Sequence, residues 1–184
     1  MSDRPLNPTA ASLLGLLHHG PMTGWDLVAT AQTVIGDFWS LTQSQVYREL
    51  VAMTEAGLLE AGARGRRDRR PYTITDAGRA AFSTWIDRGP SSATIRIPLL
   101  LTVLFGRHLA PNRLATILAR DRDLHADRLA HYEQLRTAAT AEPSEPDPYA
   151  MAVLDFGRCY ERAVLEWFAR LPTELTGEPG TTAP

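Results

Sequence analysis

The residues best suited to chemistry in this 184-residue chain fall in two short stretches. One is Thr42-Gln43-Ser44-Gln45-Val46-Tyr47-Arg48, where hydroxyls, amides, a phenol and a guanidinium crowd the start of a helical pattern. The other is Arg64-Gly65-Arg66-Arg67-Asp68-Arg69-Arg70, whose five arginines and one aspartate give a formal charge of +4 in seven residues. The rest of residues 1 to 88 holds four arginines and eight acids, so the positive charge of this half is a single loop. Amide and guanidinium groups on an exposed helix can read base edges by paired hydrogen bonds, and clustered arginines neutralise phosphates with release of counterions. An arginine run alone is ordinarily a solvated turn. Its position after this particular helix points instead to duplex DNA.

Other chemistries find less support. Cys159 is the only cysteine, which excludes an intramolecular disulfide and a Cys-rich zinc site. It lies beside an apolar helical stripe without a nucleophile's partners, so a buried thiol is expected. Asp121, His125, Asp127 and His131 do not form a metal site, because Asp127 points to the opposite helix face and two histidines six apart do not converge. The glycines around the arginine loop lack phosphate-loop spacing and precede a strand. The sequence thus predicts no enzyme, no cofactor and no metal.

The positioning elements are legible from their punctuation. Pro8 opens a first helix carrying Leu13, Leu14, Leu16 and Leu17, and His19-Gly20-Pro21 ends it. Thr23 caps a second, Gly24 to about Val34, with Trp25, Leu27 and Val28 among its apolar members and Gly36 closing it. Thr42 and Gln45 form a capping-box signature for a third helix from Gln43 to Ala56, with Gly57 as left-handed terminator. Val46, Leu50 and Met53 share one face, leaving Ser44, Arg48, Val51 and Glu55 pointing outward and Gln43 and Tyr47 near the leading end. Short strands at Leu58–Ala61 and Tyr72–Thr75 flank the arginine loop, and a fourth helix begins at Thr75 or Asp76.

Three helices followed by a hairpin with a basic tip is the layout of a winged helix-turn-helix. The third helix would enter the major groove with Thr42, Gln43, Ser44, Tyr47 and Arg48, and Arg64, Arg66, Arg67, Arg69 and Arg70 would reach the flanking backbone. Thr23, capping the second helix, joins this set of expected DNA contacts.

Five segments resemble the PadR family of transcriptional regulators: Leu13-Leu14-Gly15-Leu16-Leu17, Gly20-Pro21-Met22-Thr23-Gly24-Trp25-Asp26-Leu27, Val46-Tyr47-Arg48-Glu49-Leu50, Glu55-Ala56-Gly57-Leu58-Leu59 and Tyr72-Thr73-Ile74-Thr75-Asp76-Ala77-Gly78. Trp25 departs from the family's usual tyrosine, keeping the aromatic ring but altering its polar handle. The resemblance implies a dimeric repressor that leaves its operator on binding a small effector, commonly aromatic or cationic. It also implies the subgroup with a helical carboxy-terminal dimerisation domain.

The second half fits that role on its own grounds. Val153, Phe156, Tyr160, Val164, Trp167 and Leu171 recur at helical spacing, more apolar surface than one neighbour can cover, and a second copy is the expected cover. On the preceding helix, Pro111 to about Ala138, the residues Asp121, His125 and Arg128 interrupt the apolar face. They read either as a mutually satisfied polar cluster or as the polar wall of an effector pocket shared with Phe38 and Trp39. Core packing is the plainer role for those two aromatics. The expected organisation is mainly α with a small β-hairpin: residues 1–88 a DNA-binding domain, 93–172 a helical dimerisation domain, and 173–184 a flexible tail. No signal-like segment opens the chain, and the apolar run Ile97 to Phe105 is about half the roughly 20 residues a membrane span needs. A cytoplasmic homodimer without membrane attachment is expected. A winged-helix adaptor that binds protein instead of DNA is the rival reading, favoured by the near-neutral charge of residues 1 to 88.

Overall fold

The computed structural model describes residues 6–63, 65, 70–90, 95–141 and 144–177, so Arg64, Arg66, Arg67 and Arg69 lie outside the described residues. Two compact units divide the chain, residues 1–93 and 94–184.

In the first unit, α1 (Pro8–Leu17) starts where Asn7 Oδ1 accepts from Ala10 N at 2.9 Å and Pro8 supplies a preset first turn. Strand β1 (Met22–Thr23) leads directly into α2 (Gly24–Val34), whose Thr23–Asp26 capping box pairs both backbone donors. Helix α3 (Gln43–Glu55) has the expected Thr42–Gln45 box, and Gly57 follows its end at φ 73°, a left-handed conformation that costs glycine nothing. The hairpin β2 (Leu59–Ala61) and β3 (Pro71–Ile74) is antiparallel, with Leu59 opposite Ile74 and Ala61 opposite Tyr72. Thr75 caps α4 (Asp76–Asp87), and its hydroxyl side also ties back through a bond to the Gly57 carbonyl. Leu13, Leu14, Leu17, Leu27, Val46 and Leu50 form the fully buried centre. They come from three different helices, which is how the apolar faces read from the sequence become one core.

Two features here were not expected. The sheet has three strands in the order β1-β3-β2, because Met22 pairs with Tyr72 and Thr23 with Pro71. Trp25, expected among the apolar members of α2, is largely exposed.

The second unit contains α5 (Pro98–Leu104), a 3-10 turn at Gly106–His108, α6 (Arg113–Ala141), α7 (Pro148–Ala169) and α8 (Thr173–Thr176). Helices α6 and α7 run antiparallel, since His125 meets Glu161 while Glu133 meets Arg158. The apolar run at Ile97–Phe105 is therefore a short helix, and α6 extends three residues beyond the expected end. Thr173–Thr176, expected as part of a frayed tail, instead form a helical turn packed against α6. Residues 178–184 lie outside the described set.

Candidate nucleic-acid interface

The first turns of α3 present their polar groups from a fixed base. Gln45 is committed to the cap, accepting from Thr42 N at 2.9 Å while its own N–H donates to Thr42 Oγ1 at 3.3 Å. Gln43 and Ser44 are both exposed in the first turn, Ser44 with its hydroxyl 3.1 Å from that of Thr42 and Gln43 with its amide turned to solvent. Tyr47 lies one turn further with its ring against Gly24, where an added Cβ would stand 2.7 Å from a ring carbon. Only glycine permits this approach, so the ring both bridges α2 to α3 and keeps a solvent-facing edge. Arg48 is exposed, and its Nε–Glu49 Oε1 separation of 4.0 Å is too long for a hydrogen bond, leaving its donors available to a partner.

Besides Thr42 and Ser44, two more of the expected contact residues have internal engagements. The Thr23 hydroxyl donates to Asp26 at 2.7 Å. Arg70 donates from Nε to Gly62 O at 3.1 Å and from a terminal nitrogen to Ala61 O at 3.3 Å, so it braces the base of the hairpin. Arg64, Arg66, Arg67 and Arg69, which would form the wing's tip, lie outside the described residues.

Sequence reasoning missed Glu49. It is 6% exposed, and its Oε2 accepts from Asn7 Nδ2 at 3.2 Å, while Asn7 Oδ1 caps α1. One buried carboxylate thus keys α3 to the start of α1. The signal was available, since position 49 sits between Val46, Leu50 and Met53 on the apolar face, where a charge needs a partner.

In the second unit Asp121 and His125 do come together, with Glu161 as the partner the sequence reading lacked. His125 Nδ1 is hydrogen-bonded to the buried Glu161 carboxylate, and its Nε2 lies 3.8 Å from Asp121. The Phe168 ring, centroid 6.0 Å away, walls the cluster. Arg128 is exposed and outside it. A satisfied polar cluster is therefore the better description of Asp121 and His125. A second network joins Glu133 to Arg158 at 3.1 Å and Arg158 to Asp155 at 2.6 Å, with Arg162 also on Glu133. The Arg158 hydrogen bond, chiefly, holds the Glu133 carboxyl below its ordinary range, against a smaller opposing effect of desolvation. A cleft of about 400 Å³ nearby is lined by Arg136, Pro148, Met151, Leu154, Asp155 and Arg158, not by the expected effector residues.

The apolar stripe of α7 faces outward. Val153, Phe156 and Tyr160 are exposed and Val164, Trp167 and Leu171 half-buried, whereas the buried positions of the helix are Arg158, Glu161 and Phe168. At about 100° per residue the stripe stands roughly a quarter-turn from the face that meets α6. Two expectations change. Cys159 is exposed rather than buried. Phe38 and Trp39 are exposed rather than core, because their turn carries them past the end of α2. Among the described residues no group of His, Cys, Asp or Glu could hold a metal, and no helix is long and apolar enough to cross a membrane.

Two family models match in tandem: "Transcriptional regulator PadR-like family" over residues 13–84 and "Virulence activator alpha C-term" over residues 95–176. The negative transcriptional regulator PadR of Bacillus subtilis is 29% identical over 167 residues, 85% of this chain and 91% of that protein. The crystal structure of Bacillus subtilis PadR in complex with operator DNA matches at TM-score 0.75 and 24% identity, covering 90% of this chain and 97% of that one. The same protein in complex with p-coumaric acid matches at TM-score 0.67 and 24% identity, covering 89% and 94%. The Vibrio cholerae virulence activator AphA matches at TM-score 0.70 and 25% identity, covering 95% and 99%. The two family matches fall one on each structural unit, with the winged-helix elements inside the first. Residues 13–84 thus belong to the PadR-like family of transcriptional regulators.

Proposed function

We propose that the protein binds duplex DNA as a cytoplasmic homodimer at an inverted-repeat operator, represses transcription there, and is released by a small aromatic or cationic effector. The observation that carries this is the outward face of α3. Gln43, Ser44, Tyr47 and Arg48 stand exposed on a helix whose cap, whose Gly24 contact and whose Glu49–Asn7 bond fix its placement within the unit. A rigid helix with an amide and a guanidinium at its leading end is what major-groove readout requires. The relative that is a negative regulator, and the fold shared with an operator-bound structure, support the same reading.

In this reading residues 1–88 carry the DNA contacts, with Thr23, Thr42 and the wing arginines Arg64, Arg66, Arg67, Arg69 and Arg70 as backbone contacts. Residues 93–172 carry dimerisation through Val153, Phe156, Tyr160, Val164, Trp167 and Leu171. Exposed Phe38 and Trp39 offer stacking surfaces for a flat ligand, and p-coumaric acid, which is in complex with the Bacillus protein, is a ligand of that shape. Asp121, His125 and Arg128 are the polar candidates. Release requires the ligand to prefer the non-operator arrangement, with about 1.4 kcal/mol of preference for each tenfold loss of affinity.

The test separates helix from wing. Arg67→Ala should weaken binding to any duplex and flatten the salt dependence, because a phosphate contact releases counterions. Gln43→Ala should chiefly lower the preference for the DNA upstream of the gene over random duplex, by about 1–3 kcal/mol. Equal binding by both variants and the parent across a salt series would reject the DNA reading in favour of a protein-binding adaptor.

A further inference from the structure

One residue on the outward face of α3 has no explanation in folding. Val51 is 54% exposed, although its neighbours along the same face, Ser44, Tyr47, Arg48 and Glu55, all carry polar groups. The buried side of the helix is already complete with Val46, Glu49, Leu50 and Met53. A β-branched side chain is also a poorer helix former than alanine at a solvated position. Resting on the reading that α3 enters the major groove, we propose that Val51 is a specificity-determining residue that contacts the C5 methyl group of a thymine.

The chemistry leaves one partner of this kind. Base edges in the major groove offer hydrogen-bond donors and acceptors, and the thymine methyl is the only apolar group among them. An aliphatic side chain reaching a base edge gains by covering that methyl and gains nothing from the polar sites. Geometry places the contact. Val51 follows Ser44 by seven residues, close to two turns, so both project from the same face. Their separation along the axis is about 10 Å at the α-helical rise, roughly three base-pair steps of 3.4 Å. Glu55, one turn beyond, is exposed and acidic. A carboxylate there would be repelled by phosphates, which marks Val51 as the last residue of the reading face. The helix then reads polar base edges at Gln43 and Ser44 and a methyl group at its far end.

The full-length protein and its Val51→Ala variant would each be used to select bound duplexes from a randomised pool. Alanine is the better helix former, so the variant retains α3. The parent should enrich a motif containing a thymine about three to four positions from the bases whose preference Gln43→Ala removes, and Val51→Ala should lose preference at that thymine alone. Replacing it by deoxyuridine in the enriched duplex removes only the methyl. The parent should then bind about fourfold more weakly per half-site, the worth of one methyl-sized apolar group leaving water, while Val51→Ala should be indifferent. An unchanged motif, or the same deoxyuridine penalty in both proteins, would overturn the assignment while leaving DNA binding intact. Failure of the parent to enrich any motif would overturn both.

Discussion

At the scale of single residues, the site depends on contacts made within the protein. Gly24 matters because Tyr47 occupies the space its Cβ would take. Gly24→Ala should cost about 1–3 kcal/mol of stability by overpacking, and a second change, Tyr47→Ala, should make the glycine substitution nearly neutral. Chemical denaturation of the four proteins in this cycle reads the coupling directly; additive effects would show that the ring does not rest on Gly24. Glu49 matters for the opposite reason, as a buried charge answered by Asn7. Glu49→Ala strands the Asn7 amide and opens a cavity, an expected loss of about 1–3 kcal/mol, whereas Glu49→Gln can still accept the bond and should lose less. Equal loss in the two variants would mean that volume, not the hydrogen bond, is what the position supplies.

At the scale of elements, what the sequence made legible was whatever has a local cause. Thr42 with Gln45, Thr23 before Gly24, Thr75 before Asp76 and Gly57 after α3 are stop and start signals acting within four residues, and each stands where it was read. What was not legible depends on partners distant in sequence. Strand β1 is two residues long and exists only because β3 offers it hydrogen bonds, so it carries no period of its own. Glu161 and Arg158 stand on the face of α7 toward α6, where apolar counting expects no charge, because His125 and Glu133 answer them across the helix pair and Asp155 answers Arg158 from one turn back on α7. That network has a pH signature. Glu133 titrates below its ordinary 4.5 when folded, so it contributes stability that is present above that value and is lost as the pH falls through the folded one. Acid unfolding of the second unit, followed by helicity, should begin at higher pH for Arg158→Met than for the parent. No difference between the two would mean that the ion pair does not couple to folding.

At the scale of the whole molecule, the two units bury apolar surface very unequally. The first gathers fourteen residues into one core cluster, while the second, of similar length, buries only Leu118, Tyr132 and Phe168 among the apolar side chains described. Meanwhile Leu100, Leu101, Leu104 and Phe105 around α5, and Val153, Phe156 and Tyr160 on α7, remain in solvent. A monomer with exposed apolar area of this kind is an association surface, and an obligate homodimer interface is the sort of contact that resembles a core cut in half. The sharpest probe is Phe156, because at 70% exposure it contributes little to its own protomer's packing. Phe156→Glu should keep the helical content of the parent yet sediment as a monomer, since a charge buried in an apolar seam without a partner is strongly unfavourable. A monomer carries one α3 instead of two, so its affinity for a two-fold symmetric operator should fall by roughly 10²-fold or more as the linked second contact is lost. An intact dimer in Phe156→Glu would remove the α7 stripe from the interface, and a monomer with undiminished operator affinity would show that one recognition helix suffices.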